Sequence, residues 1–269
     1  MKIKFTFLAS LLFIGNAFAQ DDICIKYKSG VEQCFPIDEI DKIYMKPDAF
    51  IPSGQYLNHD YVDLGLPSGL LWATYDVGAS GIKQMGSLYG WAEVETSETY
   101  NWEDLKYYEK DNDSYRFLKY VTSDFYIPNP DYLTTLQPED DAATSNWGEG
   151  WRIPTKEEWD ELIEGCTWEC VTTPSVMMSY CDDCEEIVSF GLVGTSKYNG
   201  LKIYFPKNIS KFGNSFTIAT KYWTSSVYED NHFEAWLLST EYGESSAEFN
   251  SYHDSRYLGC SIRPVTSKK

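Results

Sequence analysis

The stretch at 150–159, GWRIPTKEEW, decides the fold because it predicts where an extended segment ends and a helix begins. Pro154 ends the extended segment, Thr155 can cap a helix, and Glu158 stands three residues later, where it completes a capping box. The predicted helix covers 155–164 and stops at Gly165. Its apolar stripe consists of Trp159, Leu162 and Ile163, and its solvent side carries Lys156 and Glu157.

Downstream of this helix the sequence alternates as strands do. The segments 223–227 and 235–238 are predicted strands, and in the last segment Leu258, Cys260 and Ile262 alternate with Gly259, Ser261 and Arg263. A short helical turn is predicted at 138–143, with proline first and acids in its first turn. These elements indicate an α+β domain with short antiparallel strands, few helices and long loops.

The N-terminal part predicts a separate β-hairpin unit over residues 20–46. If 28–30 forms a three-residue loop, Lys26 pairs with Glu32 and Cys24 with Cys34, while the apolar residues share one face. A linker rich in proline, serine and glycine is predicted at 47–57, and one large domain at 58–269.

Residues 1–19 have the pattern of a cleavable export signal, with lysines, a short apolar run and a small-residue cleavage site. The residues that follow are Gln20, Asp21 and Asp22 rather than a cysteine, so no lipid anchor is expected. The mature protein is therefore predicted to be secreted or at the cell surface.

Composition limits the partners of the chain. Of its 269 residues, 41 are acidic and 22 are basic, a formal net charge of −19, which repels nucleic acid and anionic membranes. No segment after the signal is long and apolar enough to insert in a membrane. Hydrophobic residues make up 43% of the chain and aromatic residues 16%, enough for a folded core.

Six motifs in a fixed order carry a family resemblance: VDLGLPSGLLWAT at 62–74, YGWAE at 89–93, DDAAT at 140–144, NWGEGWRIPTKEEW at 146–159, YWTSS at 222–226 and SIRPV at 261–265. Over residues 60–266 the chain resembles the Fibrobacter succinogenes major paralogous domain. That resemblance implies a C-type lectin-like fold of the branch that also holds the formylglycine-generating enzymes, with Trp151 and Trp159 in the core. It implies a fold and not an activity.

Seven cysteines are an odd number, so at least one thiol has no partner within the chain. Cys166, Cys170, Cys181 and Cys184 form a cluster that could be disulfides, free thiols, a zinc site or a redox pair. Export favours disulfides, as it does for Cys24 with Cys34. Nested bridges would join Cys170 to Cys181 and Cys166 to Cys184, although the spacing permits three connectivities.

No catalytic constellation is visible. The chain has three histidines and lacks a nucleophile elbow, a zinc-protease motif and a phosphate-binding loop. Enzymes of the related branch use two cysteines in the C-terminal part, where this chain offers only Cys260, which its strand pattern predicts to be buried. No cofactor is expected. Asp140, Asp141 and Asn146 could bind calcium, but helix capping explains the two acids as well.

The favoured function is a binding or adhesion module for an extracellular glycan or protein. Irregular loops near the C-terminal strands usually meet ligands in the lectin-like fold, and here two such segments are polar and aromatic. The candidate contacts are Tyr228, Asp230, Asn231, His232, Tyr252, His253, Asp254 and Arg256. The aromatic stretch 100–132 is either a stacking platform or an insertion with its own core. The alternatives are an enzyme of the formylglycine-generating branch and a structural subunit of a surface appendage.

Overall fold

The computed structural model describes residues 22–26, 32–36, 50–111, 114–125, 127–174, 188–217, 220–242 and 247–267. The predicted signal at 1–19 lies outside these residues, as do Cys181 and Cys184. The chain divides into two units, Met1–Ala49 and Phe50–Lys269. Among the described residues, no helix has the length and apolar character needed to cross a membrane.

The first unit contains an antiparallel pair, β1 (Asp22–Lys26) and β2 (Glu32–Pro36). Cys24 lies opposite Cys34, and Lys26 lies opposite Glu32. The predicted register is therefore confirmed, whereas the bridge between the two cysteines stays a prediction.

The second unit is built mainly from short strands. Its elements are β3 (Gly54–Tyr56), β4 (His59–Val62), β5 (Leu71–Ala73), β6 (Tyr108–Asp111), β7 (Ser114–Phe117), α1 (Ala142–Trp147), β8 (Trp151–Arg152), α2 (Lys156–Gly165), β9 (Cys166–Pro174), β10 (Val188–Ser196), β11 (Lys202–Pro206), β12 (Ser210–Phe212), β13 (Ser215–Thr217), β14 (Lys221–Val227), β15 (Glu234–Tyr242), β16 (Ala247–Ser255) and β17 (Val265–Thr266). All named strand pairs are antiparallel. The coarse α+β class with short antiparallel strands is thus confirmed. Strand β3 lies inside the predicted linker at 47–57. Since it pairs with β4, the end of that linker is part of the second unit's sheet.

A five-stranded sheet in the order β3-β4-β5-β17-β8 holds the two ends of this unit together. The C-terminal strand β17 lies between β5 and β8, so Val265 pairs with both Trp72 and Arg152. Two three-stranded sheets, β11-β10-β9 and β14-β15-β16, complete the main framework.

Helix α2 begins as predicted. The Thr155 side chain accepts a bond from the Glu158 amide, and the Glu158 carboxylate accepts one from the Thr155 amide. Trp159 and Leu162 are fully buried and Glu157 is exposed. Ile163 is only half-buried, although it was predicted to be buried with the stripe. Lys156 is half-buried too, although it was predicted to lie in solvent. Upstream, a 3₁₀ turn at Pro138–Asp140 and helix α1 replace the single turn predicted at 138–143.

The segment 258–263 is buried on both sides, not on one. Leu258, Cys260 and Ile262 join the larger core cluster, as predicted. On the other side the Arg263 guanidinium is 2.6 Å from the Asp76 carboxylate, and both side chains have no exposed surface. Tyr222 donates a hydrogen bond to the second oxygen of Asp76 at 3.0 Å. This segment therefore contains a buried ion pair that strand alternation did not predict.

Cys166 and Cys170 are free thiols, so the nested bridges are not formed. Pro174 pairs with Val188 at the closed end of the β9–β10 hairpin, and Cys166 lies eight residues farther back, about 26 Å along the strand. Cys184 is four residues from Val188 and reaches about 14 Å at most. A bridge from Cys166 to Cys184 is therefore excluded by length in this fold.

Candidate functional site

The two segments predicted to bind a ligand do meet, but only one of them is a loop. The first is the turn between β14 and β15, closed by a hydrogen bond from the Tyr228 amide to the Glu234 carbonyl. The second lies largely in strand β16, which ends at Ser255. Tyr228 and His253 bring them together, with ring centroids 3.8 Å apart and planes within 4° of parallel.

Trp236 completes what we call the aromatic platform, which consists of Tyr228, Trp236 and His253. Trp236 pairs with His253 across the β15–β16 ladder, so the two side chains lie on the same face of the sheet. The indole stands edge-on to Tyr228 at 5.1 Å and to His253 at 5.6 Å. Tyr228, Trp236 and His253 are all partly exposed. The platform thus presents aromatic surface to solvent.

Polar groups of the turn hold one side of the platform. One carboxylate oxygen of Glu234 accepts a hydrogen bond from the side-chain amide of Asn231 at 2.9 Å. The other oxygen contacts Nδ1 of His253. Asp230 is exposed and accepts a hydrogen bond from Tyr228. Desolvation raises the pKa of the Tyr228 hydroxyl, and the neighbouring Asp230 carboxylate raises it further.

Helix α2 supplies the other side of the platform. The Lys156 ammonium lies 5.1 Å from the centre of the Trp236 ring and 2.6 Å from the Asp160 carboxylate. Ser251 donates a hydrogen bond to the second oxygen of Asp160 at 2.8 Å. The capping box that starts α2 fixes Lys156 in the first turn, and this is how the 150–159 stretch positions the site.

Tyr252 and Asp254 are the chain neighbours of His253 in β16, so their side chains leave the strand on the opposite face. The Tyr252 side chain is 54% exposed and its ring is nearly parallel to that of His253, with centroids 5.5 Å apart. Asp254 is bound by Lys221 at 2.9 Å. These two residues flank the platform and are not part of it.

His232 and Arg256 each expose only 1% of their surface to solvent, so the prediction that they contact a ligand is wrong. The His232 ring packs against Phe117 and Phe233, and burial followed by the nearby Arg256 charge lowers its pKa to about 4. The Arg256 guanidinium donates to the carbonyl of Tyr120 at 2.6 Å and lies over the Phe117 ring. Both residues anchor the insertion at 100–132 to the domain.

That insertion has its own small core. Leu105, Phe117 and Val121 are buried there, with partly buried aromatic residues around them. Trp102 stacks on Tyr108 at 5.2 Å and stands edge-on to Tyr257 at 4.6 Å. Of the two alternatives for this stretch, an insertion with its own core is the one observed.

Asp140, Asp141 and Asn146, the three calcium candidates, each have partners within the fold, and calcium binding by them stays a prediction. The Asp140 carboxylate receives four donors, the ammonium groups of Lys106 and Lys119 and the hydroxyls of Tyr107 and Tyr120. Asp141 caps α1 and also accepts from the Ile153 amide, and its burial raises its pKa to about 6. The Asn146 side chain donates to the Ala142 carbonyl. Within the described ranges, no group of three or more histidines, cysteines or acids could hold a metal ion.

A cavity of about 310 Å³ lies elsewhere in this unit, beside the start of the insertion. Its lining includes Glu93, Glu98, Asp104 and Tyr257. Burial raises the pKa of Glu93 to about 7, although its carboxylate accepts the Lys106 amide at 2.7 Å. Asp104 accepts hydrogen bonds from Thr99 and the Asn101 amide, which shape the adjoining turn.

Sequence reasoning found Tyr228 and His253 but missed Trp236, Glu234 and Lys156. A signal for Trp236 was present, since it lies in the predicted strand at 235–238. Glu234 shares its face two residues earlier, but the predicted strand began one residue too late to include it. The position of Lys156 depends on how α2 packs against β15, which periodicity does not specify.

The chain matches no family model, no curated protein sequence and no solved structure.

Proposed function

We propose that this chain is an exported binding module that recognises an extracellular glycan through the aromatic platform. The observation that carries the proposal is the stack of Tyr228 on His253 with Trp236 edge-on beside it. Exposed aromatic rings offer flat apolar surface to the C–H face of a sugar ring, and surrounding polar groups offer partners to its hydroxyls. Here the carboxylates of Glu234 and Asp160 supply those partners.

Preorganisation supports this assignment. The platform side chains are held by ring contacts, by the Glu234 carboxylate and by the strand ladder, so binding would order few additional groups. A rigid site loses less conformational entropy on binding than a mobile one. The exposed Asp230, which accepts a hydrogen bond from Tyr228, is a candidate for a further contact.

The proposed fold is the C-type lectin-like fold of the family that the motifs resemble. The buried Trp151 and Trp159 have the core positions that the resemblance implies, and the capping box occurs where its motif stands. The export pattern at 1–19 supports an extracellular site of action.

The rival enzyme of the formylglycine-generating branch receives no support from Cys260. Its side chain is fully buried, and burial raises the pKa of its thiol far above the ordinary value. A nucleophilic or metal-binding cysteine acts as the thiolate, which this environment disfavours. The described cysteines Cys166 and Cys170 lie in strand β9, away from this segment of the chain.

The test is an array of host and plant glycans probed with residues 20–269 and two variants. We expect Tyr228→Ala to lose at least about 1–2 kcal/mol of binding energy, because it removes a central aromatic contact. The matched control is Tyr198→Ala, an exposed tyrosine in a turn outside the platform.

Absence of glycan binding, or equal binding by both variants and the native protein, would overturn the proposal. Binding to proteins alone would favour the protein-adhesion alternative. Copper-dependent oxidation of a cysteine peptide would favour the enzyme, and a large homo-oligomer in size analysis would favour a structural subunit.

A further inference from the structure

The aromatic platform lies in a strongly one-sided charge environment. Three carboxylates border it: Asp230 from the turn, Glu234 from β15 and Asp160 from α2. The Lys156 ammonium also lies there, and Asp160 holds it at 2.6 Å.

Two of these carboxylates, those of Glu234 and Asp160, are held in place. Glu234 is fixed by Asn231 and His253, and Asp160 is fixed by Lys156 and Ser251. The insertion supports the turn as well, because the Thr122 hydroxyl donates to the Glu229 carbonyl at 3.0 Å. A ligand cannot move this negative charge away without breaking those contacts.

Lys156 does not provide an anion site. Its ammonium is already paired with Asp160 and lies over the Trp236 ring, so an incoming carboxylate or sulfate would have to compete with both. The net charge of −19 adds a repulsive field from the rest of the chain.

Taking the proposed function as its basis, we propose that the platform selects neutral or amino sugars and rejects anionic glycans that carry uronate, sialate or sulfate groups. An amino sugar gains from the carboxylates, whereas an anionic sugar of the same shape is repelled by them. Charges a few ångströms apart near a protein surface interact by enough to change affinity by about tenfold. We therefore expect an order of affinity of amino, then neutral, then uronate sugar.

The test uses three oligosaccharides of matched length: N-acetylglucosamine oligomers, their de-acetylated amino form and glucuronate-containing oligomers. We expect the glucuronate form to bind at least about tenfold more weakly than the N-acetyl form at 0.05 M salt. This difference in affinity should shrink as salt rises to 1 M, because screening shortens the range of the interaction. Asp230→Asn should reduce the difference too. Glu149→Gln should leave it unchanged, because Glu149 is an exposed acid outside the platform.

Failure of this inference is distinguishable from failure of the glycan assignment. Equal or stronger binding of the glucuronate oligomers, lost in Tyr228→Ala, would overturn the charge selection and leave the platform as the glycan site. No binding of any oligomer, or binding indifferent to Tyr228→Ala, would overturn both.

Discussion

Tyr228 and His253 lie face to face, with ring centroids 3.8 Å apart, although Tyr228 begins a turn and His253 lies within an edge strand. The turn is short and internally bonded, since the Glu234 amide donates to the Asn231 carbonyl at 2.9 Å. Strand β15 then begins at Glu234, opposite Ser255 of β16. The stack thus follows from a tight turn and a strand register.

Glu234→Ala should weaken glycan binding without unfolding the protein. The carboxylate orients His253 and Asn231, but it is partly exposed, so its loss should cost about 1 kcal/mol of stability or less. Binding assays and denaturant unfolding of the same variant test this together. Unchanged affinity would show that the His253 ring needs no support from Glu234.

Asp76→Ala should destabilise the protein by about 3–5 kcal/mol, because it leaves the Arg263 guanidinium buried without its ion-pair partner. Denaturant unfolding measures the change. The double variant Asp76→Leu with Arg263→Met should recover much of the loss, since no charge then remains buried. A single variant as stable as the native protein would contradict the role given to this pair.

His232 should make the protein less stable as the pH falls from about 6.5 towards 4. The folded-state pKa is lowered to about 4, so over this range the unfolded chain binds a proton that the folded chain does not. The full loss of unfolding free energy from this residue is about 3 kcal/mol. The unfolding free energy of the native protein should be measured against pH beside that of His232→Phe, which keeps an aromatic ring and cannot titrate. Asp141, whose pKa is raised to about 6, acts in the opposite direction and is common to both proteins. Parallel stability curves for the two would refute this prediction.

Cys166 and Cys260 should react with a thiol reagent only after unfolding, because both are buried and have raised pKa values. Cys170 is exposed and free, so it should react with the reagent in the native protein. Peptide mapping without reduction identifies the thiols that have reacted. A peptide that joins Cys166 to Cys184 would contradict the strand register at the β9–β10 hairpin.

Local signals in the sequence predicted the elements that depend on neighbouring residues. The capping box of Thr155 and Glu158 predicted the start of α2, and the three-residue loop at 28–30 predicted the hairpin register that pairs Cys24 with Cys34. Both depend on hydrogen bonds or pairings between residues close in the chain, which propensity and periodicity describe well.

Features that depend on distant contacts were missed. Arg256 looked like a surface residue among polar neighbours, yet its guanidinium binds carbonyls of the insertion at Lys119 and Tyr120. Arg263 was placed on the polar side of a strand but is buried against Asp76, far away in the sequence. A charged residue is buried when a partner comes from elsewhere in the fold, and a single sequence does not reveal that partner.

The most direct measurement of the central claim is a titration followed by NMR with a glycan that binds on the array. The account predicts that the Trp236 indole and His253 imidazole signals shift saturably with the same dissociation constant. The indole of Trp102, which packs within the insertion, should not shift. Saturable binding that leaves Trp236 and His253 unmoved would contradict the account, because the glycan would then occupy a different surface.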